Sequence, residues 1–68
     1  MRDRLEQLVA EMVERGIRYH DAQREFDKHF IARVVAESDG NLGKAATMLG
    51  MHRNTLTRKI NELKIRAR

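Results

Sequence analysis

The chain has 68 residues, no cysteine, no proline and no tryptophan, only three aromatics, 35% charged residues and a net charge of +4 at neutral pH. That length gives one small domain with little room for a core, and without cysteine there is neither a disulfide framework nor a thiolate metal site, which suits a reducing cytoplasm. No signal-peptide pattern or bilayer-spanning apolar run occurs, and the dominance of Glu, Arg, Leu, Ala, Met and Lys makes an all-α fold the expectation.

A first helix is expected over about 2–15. Leu5, Leu8, Val9, Met12 and Val13 fall at i, i+3, i+4, i+7 and i+8, one amphipathic stripe, and Gly16 ends it. Ile17 and Tyr19 lie in the connection, and Met12, like Met48, reads as core filler. A second helix is expected over about 20–38. Asp21 suits its first turn, where it faces the positive end of the dipole, and Ser38-Asp39-Gly40-Asn41 is a stop-and-restart cluster. Around this helix Ala22, Phe26, Phe30, Ile31, Val34 and Val35 occupy an arc of roughly 220°, far wider than the ~100° of a one-sided stripe. One side can pack on the chain's own helices. The other side, with much of the first stripe, calls for a second surface. A second copy of the chain supplies it most economically, through Leu5, Leu8, Val9, Met12, Phe26, Phe30, Ile31 and Val34 in a two-fold bundle.

Two short helices should follow, over about 42–49 and 53–63. Asn41 is a good N-cap for the first, and Leu42, Ala45, Ala46 and Leu49 form its apolar stripe. Gly50 stands where the chain must reverse, and Leu56, Ile60 and Leu63 form the stripe of the second. Ala46 lies four residues before Gly50 and Leu56 six after it. This is helix-turn-helix spacing: a small residue lets the helices approach, and an apolar residue closes the wedge.

Charge divides the chain at the same place. Residues 1–40 carry seven Lys/Arg against nine Asp/Glu, a net −2, whereas residues 41–68 carry seven against one, a net +6. A concentrated basic half is the footprint of phosphate binding, and on a helix-turn-helix it outweighs the bland reading of a solvated face. Arg53 opens the second helix of the pair, where a guanidinium fork can bond guanine O6 and N7. Asn54 and Thr55 can donate to a phosphate or a base edge. Thr57, Arg58 and Lys59 continue along the same helix, the last two as phosphate clamps. Lys44 offers a backbone contact, and Asn41 offers a phosphate bond beside its capping role. The basic tail over 65–68, following Lys64, could touch flanking phosphates.

Gly40-Asn41, Lys44-Ala45-Ala46, Leu49-Gly50-Met51, Arg53-Asn54-Thr55-Leu56 and Arg58-Lys59-Ile60 together resemble the C-terminal half of the Fis family (factor for inversion stimulation). The same module ends the nitrogen-regulation type of enhancer-binding activators. The resemblance is dense from Glu25 to Leu63. It implies a homodimer joined through the two helices N-terminal to the helix-turn-helix (1–39 for dimerisation, 40–64 for DNA), and Arg53 as a base-contacting arginine. Two positions depart from the family. Gly43 replaces a polar residue, at a cost of about 1 kcal/mol relative to Ala inside a helix. His52 replaces the usual Ser or Asn cap; histidine caps poorly but can donate to a phosphate.

Enzymatic function is not expected. No nucleophile–base set or Gly-rich phosphate loop can be assembled, and His20 and His29, nine residues apart, lack metal-ligand spacing. No cofactor, metal, small-molecule ligand or membrane partner is anticipated, since the basic residues sit on the C-terminal pair and not on the strongly amphipathic first helix. The expectation is therefore a cytoplasmic, nucleoid-associated bacterial DNA-binding homodimer acting in transcription. The opening Met1 and early first helix favour a free-standing protein over a detached activator domain. A dimerisation or docking module with an incidental basic tail is the contrasting class.

Overall fold

The computed structural model describes residues 1–65 and is all-helical: α1 (Arg2–Glu14), α2 (Tyr19–Glu37), α3 (Leu42–Leu49) and α4 (Arg53–Leu63). These bounds lie within a residue or so of those expected from the apolar periodicity. The tail positions Arg66 and Arg68 lie outside the described residues, but Ile65 packs against the core, so the chain remains attached to the fold past Lys64.

All four helices stop by the same device. In each, a residue just past the helix takes a left-handed backbone: Gly16 (φ 71°), Asp39 (φ 54°), Gly50 (φ 71°) and Lys64 (φ 56°). The following N–H then reaches back to a carbonyl of the last turn, as in Ile17 to Met12, Gly40 to Val35, Met51 to Ala46 and Ile65 to Ile60, each at 3.0 Å. These bonds satisfy carbonyls that the helix end would otherwise leave open. Two of the four positions are glycine. Asp39 and Lys64 adopt the same geometry with a side chain present, at a steric cost.

The core is formed by α2, α3 and α4, which pack on one another. Ile31 and Val35 from the second half of α2 meet Ala45 and Ala46 from α3 and Leu56, Ile60 and Leu63 from α4. Leu56 and Val35 are wholly excluded from solvent. The alanines allow α3 to sit close to its neighbours, as the helix-turn-helix spacing requires. Ser38, also buried, stabilises the α2–α3 joint: its hydroxyl donates to the Val34 carbonyl at 2.8 Å and lies 3.3 Å from the Met48 sulfur. The polar group at this joint is therefore paired, as a buried hydroxyl must be.

Helix α1 stands apart. It buries no residue, and Leu5, Leu8 and Val9 remain about half exposed. Phe26 and Phe30 on α2 are also half exposed, with rings stacked at 5.4 Å between centroids and 22° between planes. The α1 stripe and α2 enclose an apolar groove of about 570 Å³, lined by Leu5, Leu8, Val9, Met12, Ala22 and Phe26. The radius of gyration is 13.4 Å, against about 11 Å for a compact domain of this length. Ile31, expected on the dimer face, is instead only 3% exposed and belongs to the chain's own core, and Val34 packs against that core. The broad apolar arc of α2 is thus divided around its circumference: the side carrying Ile31 and Val35 faces α3 and α4, while Phe26 and Phe30 on the other side remain half exposed.

Candidate nucleic-acid interface

The site is built on α4. Leu56, Ile60 and Leu63 anchor one side of this helix in the core, which obliges its opposite side to face solvent. On the exposed side stand Arg53 and Asn54 in the first turn, Thr57 and Arg58 one turn on, and Asn61 beyond them. Helix α3 braces α4 from behind through the turn at Gly50, whose left-handed conformation sets the angle between the two helices. At the far end the Arg24 guanidinium reaches the Glu62 carbonyl at 3.4 Å, placing positive charge at the negative end of the α4 dipole.

The start of each helix of the pair is capped by a side chain. Asn41 Oδ1 accepts the Lys44 N–H at 3.0 Å, the expected N-cap. His52, expected to cap poorly, does cap: its Nδ1 accepts the Asn54 N–H at 3.1 Å. A ring nitrogen can accept only when it carries no proton, so the hydrogen of the neutral ring lies on Nε2, on the side of the imidazole away from the cap. Histidine thus fills the position that Ser or Asn commonly takes and keeps a donor free.

The sequence-expected residues therefore fall into three groups. His52, Arg53, Asn54, Thr57 and Arg58 are exposed together along the first two turns of α4. Asn41 and Lys44, both exposed, lie together in the first turn of α3, with the Asn41 carbonyl oxygen of the side chain already used by the cap. Thr55 and Lys59 are half-buried. Lys59 lines the clefts between α2 and α4 together with Gln23 and Asp27, so the basic side chain expected as a phosphate clamp leans toward the body of the protein. Asn61 was not anticipated. Its spacing of seven residues from Asn54 was the available signal, obscured because a neutral amide adds nothing to a count of charges.

A tri-helical core that presents a short, exposed, hydrogen-bonding helix braced by a second one defines a helix-turn-helix DNA-binding domain. The family model described as "Bacterial regulatory protein, Fis family" matches residues 22–63. The chain belongs to that family, and the match covers α2 from its first turn to the end of α4 while leaving out α1. Neither the curated proteins nor the solved structures yield a match to the chain. The family is one of DNA-binding regulators and not of enzymes. Among the described residues, no helix is long and apolar enough to cross a membrane.

Proposed function

We propose that this protein is a homodimeric transcription regulator that sets two copies of α4 into successive major grooves and bends the duplex between them. The exposed face of α4 is the observation that carries the DNA half of this reading. Arg53 at its N-terminal end is positioned to read a guanine edge, with Asn54, Thr57 and His52 beside it and Arg58 on a phosphate. Asn41 and Lys44 supply backbone contacts from α3. Lys59, leaning toward α2, contributes through the field it adds and not as a direct clamp.

The dimer half rests on α1. A helix that buries nothing of its own, beside an exposed Phe26–Phe30 stack, leaves an apolar surface that a soluble chain covers with a partner. The face consists of Leu5, Leu8, Val9, Met12, Phe26 and Phe30. An isologous interface doubles each of these contacts and couples folding of α1 to association. Two recognition helices set closer than one DNA turn, about 34 Å, require the duplex to bend, and specificity then derives partly from deformability.

The test is a binding titration at several salt concentrations against a random-sequence duplex pool, with the retained fraction sequenced. A two-fold symmetric enriched site with a steep salt slope is expected. Steep salt dependence without an enriched site would reassign the protein to general DNA architecture. Absence of binding at every salt would leave a dimerisation module.

A further inference from the structure

The outward side of α4 extends farther than its cations. Placing Asn54 at 0° and allowing about 100° per residue, Arg58 falls about 40° to one side and Asn61 about 20° to the other. The buried Leu56, Ile60 and Leu63 gather near about 200°, and half-buried Lys59 lies at about 140°, on the shoulder facing α2. Asn54, Arg58 and Asn61 are all exposed. The centre of the solvent face is therefore two amides around one guanidinium.

We propose that Asn61 is a further DNA contact, its side-chain amide donating to a backbone phosphate at the far end of the groove segment that Arg53 enters. This rests on the DNA-binding reading of α4. Seven residues at about 1.5 Å each separate Asn61 from Asn54 by about 10 Å along the helix, the length of about three base-pair steps. Residues at the N-terminal end of a recognition helix reach base edges, so a residue this far along meets the rim of the groove, where phosphates lie. The neighbouring Glu62 is the only acid in residues 41–68. Its backbone carbonyl is met by Arg24, which keeps positive charge at this end of the helix.

A neutral donor has a distinctive signature. Each Lys or Arg on a phosphate releases counterions and steepens the salt dependence, whereas an amide adds a hydrogen bond and releases none. The experiment is a titration of the full chain against its selected duplex at several salt concentrations, comparing wild type with Arg53→Ala, Asn61→Ala and Asn61→Lys. Alanine raises helix propensity at this exposed position, so the first Asn61 variant keeps its fold. Asn61→Ala should bind about tenfold more weakly at every salt, with slope and base preference unchanged. Asn61→Lys should bind with a slope steeper by about 1. If Asn61→Ala binds like wild type, or changes base preference, the backbone contact is wrong. A wild type that binds no DNA overturns the parent reading as well. Binding that is lost with Arg53→Ala but indifferent to Asn61→Ala overturns this inference alone.

Discussion

His52 and Asn54 are joined by a hydrogen bond from the Asn54 backbone N–H to the imidazole Nδ1, 3.1 Å long, that closes the first turn of the recognition helix. The residue that caps the helix thus lies immediately before the arginine that opens it. The geometry of Arg53 depends on that turn being formed before DNA arrives. His52→Ala removes the acceptor and should lower stability in urea melts by about 1 kcal/mol, with His52→Asn recovering most of it. Equal stability of the alanine variant and wild type would show that the cap carries no weight.

Arg53 and Arg58 should separate by role. Arg53→Ala should cost about 1–3 kcal/mol of affinity for the preferred site and relax discrimination at one base position. Arg58→Ala should weaken all sequences alike and lower the salt slope by about 1, while Lys59→Ala should leave the slope nearly unchanged. Competition titrations against single-base variants of the site measure all three. The two arginine variants should sediment as the wild type does, in the proposed dimer.

Glycine substitutions in α3 and its turn should have opposite signs. Gly43 sits in an ordinary helical backbone, and an added Cβ would meet only the Asn41 Oδ1 at 3.5 Å, an ordinary contact. Gly43→Ala should therefore stabilise by up to about 1 kcal/mol. Gly50 has open space for a Cβ, with nothing within 4 Å, but a φ of 71°, where L side chains are strained. Gly50→Ala should destabilise by about 1–2 kcal/mol. Paired chemical denaturation curves decide between them, because open space alone would predict the same sign for both.

Leu56 connects the core to the site. Its side chain is wholly buried between α2, α3 and α4, so Leu56→Ala should cost about 2–5 kcal/mol. Small domains hold only about 5–15 kcal/mol in total, so much of the helical signal and all DNA binding should be lost near physiological temperature. Circular dichroism melts give the measurement.

The apolar face of α1 should respond to charge. Leu8→Asp with Phe26→Asp should convert the proposed dimer to monomer in sedimentation velocity and reduce α1 helicity. The α2–α4 core should persist, since neither residue is buried in it. Affinity should fall because one recognition helix then binds without the effective concentration supplied by its mate. A double variant that stays dimeric would place the interface elsewhere.

Much of this protein is determined locally. Runs of Leu, Val and Ala at helical spacing, the Asn41 cap and the Gly16 and Gly50 reversals place α1 to α4 within a residue or so, because each depends on neighbours within a single turn. The helix-turn-helix is legible for the same reason. Tertiary structure decided what periodicity leaves open. It assigned Ile31 inward and Phe26 outward from one continuous apolar arc, since α3 and α4 cover only the side of α2 that carries Ile31 and Val35. It turned Lys59 toward α2 and left Asn61 on the open face, because the direction from which α2 crosses α4 determines which shoulder of the recognition helix is covered. It made His52 a cap, because a ring nitrogen bonds an N–H only when the chain entering the helix brings the two within reach.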